Sequence, residues 1–439
     1  MAPSITHEAV AALQTYINDA TTGTSSTIPG AMVHVVDDQG NTLFSHGSGN
    51  PTSPHAHSIS IIQSLSKLVG SIAFLQLVER EISSLDDPNI IPTHLPELAA
   101  KKVLTGYTTD SNGRKIWHFE DRRGDITPRM LMNHTYGGGH TYMNTLLFEY
   151  FQDQNIDWTT TNEAADTYGT LLASPLLWHP GTKTNYAQGF DWLAVLIERL
   201  THQRLADHLQ ANIFDPLSLS SMGYEPSFGG TSLSHPDNAN KFWPRIIRTG
   251  DASTILDPTN PPTTTHPNAF PNGAYHTGRL GTGLICSPTD YTHLLTTLLP
   301  RNAGVSPLTH HRLLTPSSIK EITTPQLPVS IQHDSRTIPA SGASPIILPA
   351  FLESAHMDPK GSYGLGCGVQ GEDRVLEGGG KGRRKGSVYW YGAANTEYWI
   401  DGETGIVVFV NGNYYPWNDV AYTRFVAGVE GLVYGGLKE

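Results

Sequence analysis

The sequence is short of charge and of sulfur. Only 15% of its 439 residues are charged, and it has two cysteines, Cys286 and Cys367. Two are too few for a disulfide scaffold, and their wide separation in sequence leads us to expect two free buried thiols in a reducing compartment. No apolar run approaches bilayer-spanning length, so no membrane association is expected. The first residues, MAPSITHEAVAAL, lack a basic stretch followed by an apolar one. That leads us to expect no secretory leader and a cytoplasmic location. Positive charge is also scarce. With 28 Lys and Arg against 40 Asp and Glu, the net charge of −12 argues against nucleic acid as a general partner. Repeats and low-complexity segments are absent. What is present, 38% hydrophobic residues with 43 Gly and 30 Pro, describes a globular, loop-rich chain. Among 20 histidines the closest pairs are His55 with His57 and His310 with His311. Neither pair sits in a set of carboxylate or thiolate ligands, so no metal and no cofactor are expected.

The chain is organised around Ser64-Leu65-Ser66-Lys67. Leu68, Ile72, Leu75, Val78 and Ile82 follow at helical spacing, which predicts a helix over 64–82 with one buried stripe. Ser64 and Lys67 are three residues apart and share a face near its start. The lysine amine can take or hold the serine proton, and the unpaired N–H groups of a first turn attract developing negative charge. An activated nucleophile needs both. The motif alone is weak, because Ser317-Ser318-Ile319-Lys320 has the same pattern and either copy reads equally as a helix cap with a solvated lysine.

Around this stretch, Val10, Leu13 and Ile17 mark a first amphipathic helix. Residues 31–36 and 42–45 read as a hairpin across Asp37-Asp38-Gln39-Gly40-Asn41. A helix with an early proline is expected at 126–132, leading to Asn133-His134-Thr135-Tyr136 and three glycines. The aromatic-rich stretch 140–177 is a candidate lid or pocket wall. Helices are expected from about 190, at 290–299 and at 419–434, and 226–271 reads mostly as loop. Strands are expected at 363–369, 374–377, 387–391, 396–401 and 406–411, with short turns suited to an antiparallel sheet. The expected class is α+β: an antiparallel sheet flanked by helices and formed from both chain ends (1–85 and 275–439), with an inserted, mainly helical and loop-rich domain (86–274).

Two further stations carry possible chemistry. Tyr186-Ala187-Gln188 follows a Pro-Gly turn and precedes a helix. A phenol near the Lys67 ammonium ionises more easily and can serve Ser64 as general base. The other reading is an ordinary buried tyrosine with a bonded hydroxyl. Trp390-Tyr391-Gly392-Ala393 ends a candidate strand. Beside the nucleophile helix, the N–H of Ala393 would join that of Ser64 in an oxyanion hole. Alone, it is a sheet strand with an exposed aromatic.

Together, in this order, the three stations resemble the serine β-lactamase and penicillin-binding-protein superfamily, in its class C and esterase branch. Leu85-Asp86-Asp87-Pro88, His179-Pro180-Gly181-Thr182, Ile213-Phe214-Asp215-Pro216-Leu217 and Gly364-Leu365-Gly366 extend the resemblance over most of the chain. It implies that Ser64 is the acylated serine, Lys67 its lysine and Tyr186 the tyrosine base. β-Lactamases usually carry Lys-Thr-Gly at the third station, where Trp390 and Tyr391 stand here. An indole cannot pair with a carboxylate but can pack on an acyl chain or ring, which favours esters or thioesters over β-lactams. In this the chain resembles the fungal statin-type acyltransferases, or transesterases. Gln188 replaces the family's asparagine. Gln188, Trp390, Tyr391, Gly392 and Tyr136 are the expected substrate-facing residues, and His134 reads either as a border of the pocket or as a histidine that only hydrogen-bonds the loop backbone.

The expected function is a serine-dependent acyl-enzyme catalyst, an esterase or acyltransferase of secondary metabolism acting on a small-molecule ester or acyl thioester, with an alcohol as possible acceptor. The alternative is a non-hydrolytic member of the same fold, using the Lys-Tyr pair for cyclisation or elimination or binding a metabolite. Lys381, Arg383, Arg384 and Lys385 cluster in the glycine-rich loop 378–386. They read either as a docking patch for an acyl carrier protein or as a solvated loop.

Overall fold

The segments GAMVHVVD and IVVFVN are apolar at nearly every position, as strands must be when both faces are covered. In the computed structural model, Gly30–Asp37 and Ile406–Asn411 are neighbours in a seven-stranded antiparallel sheet and are buried throughout. The structure describes residues 2–23, 26–49, 52–156, 168–224, 230–249, 252–256, 280–331, 358, 360–417 and 419–438. In spatial order the sheet runs Ser362–Tyr363, Gly368–Val369, Val388–Gly392, Thr396–Asp401, Ile406–Asn411, Gly30–Asp37 and Thr42–Gly49. The C-terminal meander therefore closes on the N-terminal hairpin, with Val410 opposite Val33 and Val408 opposite Val35.

Period-two alternation divides the side chains between two cores. Val33, Val35, Trp399, Val408 and Val410 face Leu13 and Ile17 of helix His7–Thr21 and Phe425 and Val429 of helix Val420–Gly436. Val407, Phe409 and Tyr398 face the other way, toward Leu68 and Ile72 of helix Ser66–Glu79 and Leu294 and Leu295 of helix Pro288–Thr296. The chain ends also meet, Ile5 pairing with Leu437. No helix among the described residues is long and apolar enough to cross a membrane. Cys286 and Cys367 are free and buried.

Several expectations change. Helix Ser66–Glu79 is preceded by a 3-10 turn, Gln63–Leu65, and it is buried on every side from Ser66 to Leu77. A single stripe does not describe it, and Ile82 lies beyond the helix, 45% exposed. Enclosure is the reason: a Cβ on Gly70 would lie 3.0 Å from Leu280 and 3.1 Å from Phe190. The expected strand 363–369 is two short strands, Ser362–Tyr363 and Gly368–Val369, paired with each other. The 374–377 strand is replaced by an isolated bridge between Val375 and Lys381. The region read as loop holds strands Arg245–Thr249 and Ala252–Leu256, the first also pairing in parallel with Tyr414–Tyr415. Within the stretch expected to be mainly helical and loop-rich, Val103–Thr109 and Lys115–Glu120 form a two-stranded ribbon. Part of the candidate lid, 157–167, lies outside the described residues.

Candidate active site

Ser64 sits in the 3-10 turn at the head of the buried helix, 9% exposed. The residue before it, Gln63, has φ +50°, the left-handed region that costs a side-chain-bearing residue of order 1–2 kcal/mol. The strained turn is held by the buried Gln63 side chain. Its Nε2 donates to the Tyr415 hydroxyl at 2.9 Å, and Arg245 Nη1 donates to the same oxygen at 2.9 Å.

Two side chains converge on Ser64 Oγ. Lys67, one helical turn away, donates from Nζ at 3.2 Å, and Tyr186, 122 residues on, donates from its hydroxyl at 2.7 Å. Lys67 is 1% exposed and also donates to the Gly281 carbonyl at 2.7 Å. Its Nζ lies 4.7 Å from the centre of the Tyr186 ring. Burial pushes the Tyr186 hydroxyl well above the usual phenol value, and the hydrogen bond with Ser64 offsets this only in part. Desolvation therefore works against the ionisation that a nearby ammonium is expected to favour. Such a constellation can hold one proton between an amine and a phenol beside a nucleophilic oxygen.

The third station closes in from the sheet. Gly392 ends its strand against the turn before Ser64: a Cβ there would lie 2.7 Å from the Ile62 carbonyl and 3.0 Å from Gln63 Cβ. Only glycine permits that approach, and it brings the next residue, Ala393, to the nucleophile turn. Trp390 is 3% exposed, its ring 5.9 Å from that of Tyr186 and 5.3 Å from that of Tyr363. Tyr391 stacks on Trp390 at 4.9 Å and on Trp417 at 5.8 Å, extending an aromatic wall. His140, at the start of the candidate lid, stacks on Tyr186 at 5.6 Å.

His134 packs beside Tyr186 at 4.6 Å and accepts the Ala187 N–H at 3.3 Å. Burial, then the Lys67 charge, holds its imidazole well below the usual range, so it is neutral. Gln188 is 4% exposed, accepts a hydrogen bond from Ser174 at 3.3 Å and heads helix Gly189–Thr201. Tyr136 is 3% exposed, in the core beneath Gly138. Among the described residues no group of three or more His, Cys, Asp or Glu is placed to hold a metal ion.

The basic loop divides. Lys381 and Lys385 are exposed, but Arg383 is fully buried, against Glu397 at 2.8 Å and Glu430 at 3.0 Å. Its guanidinium lies 4.7 Å from the Trp399 ring and 5.0 Å from that of Tyr389. Arg384 is partly buried and faces Asp373 at 3.6 Å. A charge neutralised inside the protein does not attract a partner from solution, so Arg383 leaves the docking patch.

Sequence reasoning passed over Gln63, Tyr415, Arg245, Asp191 and Gly281. An acid among apolar residues in the first turn of Gly189–Thr201 was a signal for Asp191; nothing local marks the others.

A sheet built from both chain ends, with a buried serine, lysine and tyrosine in mutual contact near the end of its interior strand Val388–Gly392, defines a class of serine acyl-enzyme proteins. The chain belongs to the Beta-lactamase family, whose profile matches residues 13–430. It is similar to the monacolin J acid methylbutanoyltransferase of Aspergillus terreus, 26% identical over 93% of this chain and 92% of that protein. The lovastatin esterase of Penicillium rubens is 30% identical over 45% of this chain and 49% of its own. The unliganded simvastatin synthase of Aspergillus terreus has a TM-score of 0.75 at 26% identity, covering 98% of this chain and 99% of that one. The chain is therefore an enzyme of the superfamily's esterase and acyltransferase branch.

Proposed function

We propose that Ser64 is the nucleophile of an acyl transfer in which an apolar ester or acyl thioester is cleaved and its acyl group is passed to an alcohol or to water. The observation that carries this is the meeting of Lys67 Nζ and Tyr186 OH at one serine oxygen. Ser64 Oγ attacks the carbonyl carbon. With the Lys67–Tyr186 pair holding a single proton, as amine and phenol or as ammonium and phenolate, the serine proton completes the ammonium and phenol, and the N–H groups of Ser64 and Ala393 hold the oxyanion. As the C–O or C–S bond breaks, Tyr186 returns the proton to the leaving alcohol or thiol. The second half runs in reverse with the acceptor hydroxyl in place of Ser64.

Trp390, Tyr391 and Gly392 border the acyl group, with Tyr136 and Gln188 supporting the wall from beneath. The site lies between the sheet unit, 1–85 and 275–439, and the insert, 86–274. The aromatic wall supports an apolar product of secondary metabolism as acceptor; monacolin J acid is the compound named for one relative. Acyl thioester on a carrier protein would approach Lys381 and Lys385, and the reaction takes place in the cytoplasm.

Intact-protein mass spectrometry after brief exposure to activated esters and acyl thioesters tests the reading. One acyl adduct on the wild type and none on Ser64→Ala is expected, with faster loss to added alcohols than to water for a transferase. Turnover that survives in Ser64→Ala but not in Tyr186→Phe would replace the covalent mechanism with acid-base chemistry.

A further inference from the structure

Helix Gly189–Thr201 opens with an acid among apolar neighbours, Gly189-Phe190-Asp191-Trp192-Leu193. Asp191 is 3% exposed. A carboxylate so buried needs bonded partners, and the first turn of a helix favours its charge. Its Oδ1 accepts the N–H of Gly281 at 3.0 Å. The carbonyl of the same glycine accepts Lys67 Nζ at 2.7 Å. One backbone residue therefore links a buried acid to the buried lysine. A Cβ on Gly281 would lie 3.0 Å from each Asp191 carboxylate oxygen, so the approach suits glycine. Tyr186 stands five residues before Asp191. One chain segment thus delivers the phenol to Ser64 and the carboxylate to the anchor of Lys67.

A lysine side chain has many rotamers, and one contact at 3.2 Å does not select among them. A second, fixed acceptor does. We propose that Asp191 is a positioning residue, which fixes the Gly281 backbone so that its carbonyl holds Lys67 Nζ within reach of Ser64 Oγ. This rests on the assignment of Ser64 as nucleophile and Lys67 as its proton partner. Asp191 itself touches no reacting atom.

Single-turnover acylation by an activated ester, measured beside melting temperature, tests the role. Asp191→Ala is expected to slow acylation about 10- to 100-fold, the scale of a small misplacement of a catalytic group, with KM within about twofold. Asp191→Asn retains an oxygen acceptor and is expected to recover most of that loss. Gly281→Ala keeps the carboxylate but presses it off the backbone, and is expected to be slowed like Asp191→Ala. If Asp191→Ala does not fold, Gly281→Ala carries the comparison. Folded alanine variants acylating at the wild-type rate, or Asp191→Asn as slow as Asp191→Ala, would overturn the proposal. A wild-type protein that forms no adduct on Ser64 would instead overturn the assignment beneath it.

Discussion

Tyr186→Phe separates chemistry from packing. The substitution removes one oxygen, which stands 2.7 Å from Ser64 Oγ. It keeps the ring, and with it the contacts to His134 at 4.6 Å, His140 at 5.6 Å and Trp390 at 5.9 Å. The stability cost is then that of one hydrogen bond, about 1 kcal/mol. Kinetically, the loss is that of a positioned proton carrier, about 10²- to 10⁴-fold in acylation. That corresponds to about 3–5 kcal/mol on the barrier. Lys67 remains 3.2 Å from the serine and, in its free-amine form, can still accept the serine proton, which places the expectation toward the lower end. Stopped-flow acylation by an ester with a chromogenic leaving group measures the first number, and a denaturant titration the second. The effect should be smaller with an acidic leaving group, which needs no proton, and larger with an alkyl ester. A folded variant that acylates within about threefold of wild type on an alkyl ester would refute the reasoning.

Arg383→Met strips the buried cation from Glu397 and Glu430, leaving Glu430 with Arg374 at 3.0 Å. A loss of about 3–5 kcal/mol is expected in denaturant titration, with acylation per folded molecule unchanged; an unchanged midpoint would mean that the triad adds nothing net. His34 is 3% exposed, and burial first, then His57, lowers its pKa from 6.5 to about 4. The unfolded chain takes up this proton before the native protein does, so stability is complete above pH 6.5 and is lost as pH falls through about 4. The limit is about 3 kcal/mol for this group, and His34→Gln should flatten the slope of stability with pH between those values.

Much of the fold was legible because it is written in local periodicity. The terminal helices, the opening hairpin and the strands 396–401 and 406–411 follow from runs of apolar residues and turn chemistry. Glycine-rich stretches were harder. At 363–369 the pattern reads as one strand, yet Gly366 at φ +78° lets the chain reverse between two. The misread at 374–377 has the same root, since Gly378 and Gly379 at φ +82° and +84° turn the chain where alternation would extend it.

What the sequence by itself determined is the pairing of Ser64 with Lys67, since residues three apart near a helix start share a face wherever that helix goes. It also determined that indole and phenol stand where a substrate-anchoring lysine would. Tertiary structure decided the rest. Tyr186 reaches Ser64 across 122 positions because two elements pack, and no local pattern encodes that. The helix predicted to show one stripe is buried all round because the sheet and helix Gly189–Thr201 enclose it. Arg383 looks identical in sequence to its solvated neighbours, but Glu397 and Glu430 meet it inside the protein. Whether a charge faces water or an acid depends on partners far along the chain, and only the folded arrangement brings them together.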